Sequence, residues 1–326
     1  MLKRPVLFVV RVFAIVAAGV ALYAAWRNPE RHALDASARS GVLGKFVGSS
    51  LGTTHYETTG PDTGRVVVLV HGFSVPQYIW DSTFTALRTA GIRTIRYDLF
   101  GRGLSDRPDV AYDGAMYDAQ LDELLDSLHV SQPIDLVGLS FGGYVTAHYV
   151  AGHRARVNTL TLVDPVASAM TIPGVLATPV LGPLIWQTAQ VPGMAEQQSS
   201  DFLHPEHFPV WADQYRPQMQ YKGFGRALLR TALTLSHTNI DSLYGNAGRT
   251  GVPTLLVWGK QDQTVPIALS DIVRRNIPQA EYLPVDSAGH LPHIEQATLV
   301  HARLVAFLNA HPALQTGTAS PSPTTR

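Results

Sequence analysis

The feature that most constrains this chain is a series of short, nearly continuous β-branched and aliphatic runs. They are RVVVLV at 65–70, IRTIRYD at 92–98, IDLVGL at 134–139, VNTLTLVD at 157–164 and PTLLVWG at 253–259. Their length suits strands, and the near absence of polar alternation suits strands buried on both faces. Between them lie stretches of helical character such as AMYDAQLDELLDSLHV, with apolar residues at Met116, Leu121, Leu124, Leu125 and Leu128. Strands alternating with helices imply a mostly parallel sheet with helices on both sides. Ligands bind such sheets beyond the carboxyl ends of the strands, so the residues just after each run carry the most functional weight.

Two of those positions hold turns with chemical potential. HGFS (71–74) follows RVVVLV directly, and Gly72 permits a sharp turn that aims the amide of Phe73 above the sheet. GLSFG (138–142) follows IDLV and precedes the helical YVTAHYVAG. In a strand-turn-helix setting a Gly-x-Ser-x-Gly pattern raises the serine on a strained turn, with glycines where side chains would crowd the neighbouring strand or helix. The amide of Phe141, at the start of that helix, then faces the same place as that of Phe73. Two converging N–H groups and a helix N-terminus stabilise an oxyanion.

A serine hydroxyl is a poor nucleophile at neutral pH and needs a base, which in turn needs an orienting acid. LLVWGKQDQTVP places Asp262 just past a strand, and YLPVDSAGHLPHIEQ places His290 in a loop after another. A final helix follows, with a stripe of Ile294, Ala297, Val300, Leu304 and Phe307. The order Ser140, Asp262, His290 is that of one particular scaffold. With HGF, YDLFGRGLSD, GLSFGG, VWGKQDQTVP and SAGHLPHIEQ in sequence, residues 50 to 310 resemble the α/β-hydrolase fold superfamily, in its serine-nucleophile, lid-bearing branch. That branch resembles monoacylglycerol lipases and esterases and is related to epoxide hydrolases and carbon-carbon hydrolases. The resemblance implies Ser140 as nucleophile, Asp262 as acid, His290 as base, and Phe73 and Phe141 as oxyanion amides, with no cofactor and no metal. It also implies a helical lid after the sixth strand.

Other residues have plainer readings. Asp98 and Asp106 suit turn formation, and His71 and His293 suit structural roles. Asp164, in LVDP, ends a strand at a position where some relatives carry the acid, and is the alternative to Asp262. His204 and His207 lack a third ligand of matching context, so a metal site is not expected. Serine at 140 argues against epoxide hydrolases and dehalogenases of this branch, which use aspartate. The expected activity is hydrolysis of carboxylic esters with a hydrophobic acyl group. Two alternatives stand beside it: a carbon-carbon hydrolase of ring-cleavage products, which typically carries Asn where this chain has Leu139, and a non-catalytic ligand-binding member.

Almost ninety residues separate LVDP from TLLVWG, the usual place of a lid. The first half, with Trp186, is strongly apolar and the second is aromatic, which leads to the expectation of an apolar roof over a hydrophobic substrate, the alternative being that these residues pack the lid against the core. At the N-terminus, PVLFVVRVFAIVAAGVALYAAW (5–26) follows Lys3 and Arg4 and as a helix covers roughly 30 Å, the thickness of a hydrocarbon core. Tyr23 and Trp26 sit where an interfacial aromatic belt belongs. A retained single-pass anchor with the catalytic domain outside the cytoplasm is expected, the alternative being secretion after signal cleavage near 19–21. The organisation then reads as anchor 1–26, tether 27–50, core 51–165, lid 166–245, core 246–310 and a Pro/Ser/Thr-rich disordered tail 311–326. Lys plus Arg equals Asp plus Glu at 25 each, which leaves no overall field to attract nucleic acid. The absence of cysteine removes thiol catalysis and disulfides.

Overall fold

In a computed structural model that describes residues 4–313, eight strands form one sheet in the order β1-β2-β4-β3-β5-β6-β7-β8. The strands are β1 (Lys45–Ser49), β2 (Gly52–Thr59), β3 (Val66–Val70), β4 (Arg93–Tyr97), β5 (Ile134–Leu139), β6 (Val157–Val163), β7 (Thr254–Gly259) and β8 (Glu281–Val285). From β4 to β8 every neighbouring pair is parallel, while β1 and β2 add an antiparallel edge. All five apolar runs are strands, and β3, β5, β6 and β7 are buried along their whole length. The hairpin β1–β2 differs from the sequence expectation, because β1 lies inside the segment read as a tether. GTTHYETT carries threonines and charge on a half-wet edge, which is why it lacks the aliphatic signature of the central strands.

The two-residue period of the strands divides the core. Val66, Val68 and Val70 pack with α3 (Gly114–Ser127) and α4 (Phe141–Gly152) on one face. Val67 and Leu69 pack on the other with Leu87 of α2 (Asp81–Thr89) and with Leu304 and Phe307 of α12 (Ala297–Ala310). Between β6 and β7 the chain leaves the sheet for a helical insert. Its helices are α5 (Leu181–Ile185), α6 (Met194–Gln197), α7 (Trp211–Met219), α8 (Phe224–Ser236) and α9 (Ile240–Arg249), with a π-helical turn at Trp186–Gln190. α10 (Ser270–Asn276) and α11 (Pro292–Glu295) complete the core.

Ahead of the sheet stands α1 (Arg4–Arg27), 24 residues long and exposed over nearly all its described surface. It is long and apolar enough to cross a membrane. The tail expected at 311–326 lies almost wholly outside the described residues.

Candidate active site

Ser140 occupies the single residue between β5 and α4, with φ 52° and ψ −114°, a conformation that side chains other than glycine rarely adopt. The surroundings hold it there. Its amide donates to Val163 O at 2.9 Å, and its carbonyl accepts from the amides of Gly143 (2.9 Å) and Val166 (3.1 Å). Glycine is required on either side for space: a methyl at 142 would overlap the carbonyl oxygens of Val70 and His71, and one at 138 the carbonyl of Gly142. Strain of this kind persists only where packing over-determines it.

His290 and Asp262 arrive from the ends of β8 and β7. His290 Nδ1 lies 2.8 Å from Asp262 Oδ2, and both side chains are almost fully buried. Asp262 Oδ1 is committed elsewhere, accepting the amides of Thr264 (2.8 Å) and Val265 (2.9 Å). The carboxylate therefore has one oxygen for the backbone and one for the imidazole, which fixes Nδ1 as the protonated nitrogen and leaves Nε2 to accept. Burial pushes the His290 pKa down, but the carboxylates of Asp262 and Asp201 raise it by more, for a net upward shift.

Asp164 stands at the end of β6 with φ 40°, fully buried, and accepts the amide of Gly259 at 2.8 Å. Polar atoms of Asp164, Asp262 and His290 lie within 4.8 Å of one another. Burial, and then the charge of Asp262, raise the Asp164 pKa well above the usual carboxylate range. The hydrogen bond to His290 belongs to Asp262.

Phe141 is the first residue of α4, so its amide has no acceptor within the helix. Its ring meets that of Phe73 edge to face at 6.3 Å. Arg102, from the GRG turn after β4, holds this region together. Fully buried, it donates through Nε to Phe73 O (2.7 Å), through Nη1 to Tyr117 OH (2.7 Å) and through Nη2 to Thr231 Oγ1 (2.9 Å). Its guanidinium also lies 5.5 Å from the Phe73 ring centre and 5.6 Å from that of Phe141. No sequence pattern announces this role, because the partners are scattered over more than 150 positions.

The remaining polar candidates are structural. Asp98 accepts the amides of Gln77 and Leu104 and pairs with His55 Nδ1 at 2.7 Å. His71 Nε2 accepts the amide of Leu99, and burial lowers its pKa to about 4. Burial likewise lowers His293 to about 3, where it contacts Ile79 O. Asp106 accepts the amide of Thr53 and pairs with Arg39.

Ser140, Phe73, Phe141 and His290 line one cavity of about 460 Å³. The insert lines it with Val166, Met170 and Leu235 as well as with Gln197, Gln198, Ser200 and Asp201, and Leu139, Val265 and Leu291 add apolar surface from the core. The roof that the insert gives the cavity is therefore part apolar and part polar. Trp186, Trp211, Tyr215 and Phe224 of the insert are buried with the core and do not line the cavity. That segment is also fastened to the site: His290 N donates to Asp201 O (2.8 Å), and Thr264 Oγ1 donates to Asp201 Oδ1 (2.7 Å). Glu295 accepts the amides of both Leu203 and Gly289 at 2.7 Å.

A serine raised between strand and helix, with a carboxylate-bound histidine from a later strand of the same parallel sheet, is the arrangement of the alpha/beta hydrolases. The chain belongs to this family: the pattern of the Alpha/beta hydrolase family matches residues 67–303. Among curated relatives, Lipase 1 of Psychrobacter immobilis is 26% identical over 248 residues, covering 74% of this chain and 75% of that one. Among solved structures, a thermophilic esterase from Thermogutta terrifontis matches with a TM-score of 0.70 and 25% identity, over 83% of this chain and 100% of its own. The meta-cleavage product hydrolase CumD from Pseudomonas fluorescens IP01 matches with a TM-score of 0.68 and 22% identity, over 82% and 98%.

Proposed function

We propose that the protein is a serine hydrolase of carboxylic esters with a hydrophobic acyl group, in the manner of esterases and lipases. The observation that carries this reading is the strained Ser140 sharing one cavity with His290, whose Nδ1 is tied to buried Asp262. Ser140 Oγ attacks the acyl carbonyl carbon as His290 Nε2 takes its proton, and the resulting oxyanion is met by the amides of Phe73 and Phe141. The tetrahedral adduct collapses, the C–O bond to the alcohol breaks, and His290 returns the proton to the leaving oxygen. Water, activated by the same imidazole, then cleaves the acyl-enzyme and restores Ser140. The polar side of the cavity suits the alcohol portion, and the aliphatic side suits the acyl chain.

One feature favours esters over ring-cleavage dienoates. Among the described residues no lysine or arginine lines the cavity, and Asp201 does. An anionic dienoate would meet a carboxylate where it needs a cation. Turnover of p-nitrophenyl esters of increasing chain length, measured beside monoacylglycerols and a dienoate, tests both readings. Ester hydrolysis that disappears in Ser140→Ala, together with loss of fluorophosphonate labelling, is expected. Undiminished ester turnover by Ser140→Ala, or preferential turnover of the dienoate, would overturn the proposal.

We infer further that α1 is a retained anchor and that the catalytic domain lies outside the cytoplasm. The exposed apolar face of α1 and its aromatic end at Tyr23 and Trp26 support this. C-terminal reporter fusions active only in the cytoplasm would contradict it.

A further inference from the structure

The segment after α1 does not hang free. Arg27 Nε donates to Thr188 O (3.1 Å), and Gln187 Nε2 donates to Asn28 Oδ1 (2.6 Å). Glu30 accepts the amides of Gly223 (2.5 Å) and Gly225 (2.8 Å), placing a carboxylate at the amino end of α8. The amides of Arg31 and His32 both donate to Gln220 O, and Lys222 N donates to His32 O at 2.9 Å, closing a parallel bridge between His32 and Tyr221. Residues 27–32 thus strap the end of α1 to the helical insert rather than to the sheet.

The strap brings two apolar surfaces together. A groove of about 640 Å³ runs between the last turns of α1, at Ala24 and Ala25, and the insert, at Leu176, Pro179, Leu184 and Leu229. Directly beside its lining residues, Val180 is 76%, Leu181 53% and Val175 40% exposed. Large aliphatic side chains clustered at the surface mark a contact rather than a solvated face. Their continuity with the end of an apolar helix identifies the occupant.

We propose that this face of the insert rests on the lipid bilayer, with Val175, Val180 and Leu181 entering the interfacial layer beside the end of α1. The proposal rests on the reading of α1 as a membrane anchor. The strap then sets the insert, and with it the residues that the insert contributes to the cavity, at a fixed height above the lipid. Tyr23 (53% exposed) and Trp26 (72%) mark the depth at which α1 leaves the hydrocarbon.

The sequence contains no cysteine, so single cysteines can be introduced and labelled without background. Full-length chains carrying Leu181→Cys, Ala17→Cys or Leu299→Cys are labelled with an environment-sensitive fluorophore and reconstituted in phosphatidylcholine vesicles. Leu299, 49% exposed on α12, serves as the solvent control, and Ala17 reports insertion of α1. The label at 181 is expected to be several-fold less quenched by aqueous iodide than that at 299, and to be quenched by doxyl-labelled lipid. Iodide quenching at 181 equal to that at 299, with Ala17 shielded, would overturn the surface while leaving the anchor intact. If Ala17 is also accessible, the anchor reading fails and the proposal fails with it. Shielding at 181 without quenching by doxyl lipid would mean that a second copy covers the patch, and would overturn the proposal as well. None of these readouts depends on ester hydrolysis.

Discussion

Replacing Asp262 by asparagine isolates the orienting function from folding, and the geometry states in advance how the new side chain must sit. Asp262 Oδ1 accepts two backbone amides, from Thr264 and Val265, while Oδ2 faces His290 Nδ1. An asparagine that turned its NH2 group toward the two amides would leave both unsatisfied in a buried site, at about 1–3 kcal/mol each. It therefore places its oxygen there and its NH2 group against the imidazole. His290 must then accept at Nδ1 and carry its proton on Nε2, where it can no longer take a proton from Ser140. The equivalent change in a serine protease, which imposes the same wrong tautomer, lowers turnover by about 10⁴-fold. A fall in kcat of that order is expected, with KM for a p-nitrophenyl ester little changed and thermal stability largely kept. Asp164 supplies the control: it accepts the amide of Gly259 while Asp262 holds His290, so Asp164→Asn should keep turnover within about tenfold of the parent. Asp262→Asn retaining turnover within about tenfold of the parent would refute the reasoning and assign the orienting acid to Asp164.

Three further outcomes are expected. His290 must be neutral to act as a base and its pKa is raised above the ordinary 6.5, so kcat/KM should fall as pH drops through a midpoint above 6.5; Asp201→Asn removes one upward contribution and should move that midpoint to lower pH, and an upward move would contradict the assignment. Arg102→Lys loses the hydrogen bond to Phe73 O, a charge-assisted contact of about 1.5–3 kcal/mol, and should lower kcat by about tenfold or more with little effect on KM; a drop in thermal midpoint with unchanged kcat would reduce Arg102 to packing. Gly142→Ala drives a methyl into the carbonyls of Val70 and His71 and should destabilise the fold by about 3 kcal/mol in chemical denaturation, whereas a parent-like midpoint would show that the turn can relax.

What could be read in the sequence was governed by whether the physics was local. The central strands announced themselves because strands buried on both faces leave no polar alternation, and Ser140 did so because its glycines lie within two residues of it. Asp262 and His290 were legible as residues following strands. β1 was not, since the outer strand of an edge hairpin with one wet face resembles a polar tether. The roof was legible only in part for a related reason: apolar content predicts burial but not the direction of burial, and Trp186, Trp211 and Phe224 pack with the core while Met170 and Leu235 line the cavity. Arg102 and the strap at Glu30 depend on partners more than a hundred positions away, where no local pattern records them.

The place of β8 in the sheet also bears on when the site exists. Among the described residues β8 is an edge strand, paired with β7 alone, and it is the strand that delivers His290. Ser140 is synthesised about 150 residues earlier, which at about 5–20 residues per second is an interval of roughly 8–30 seconds. During that interval the nucleophile can fold onto its elbow while the base is still on the ribosome or not yet docked. Under the proposed function, a nascent chain is therefore inert toward esters until the last strand closes the sheet's edge.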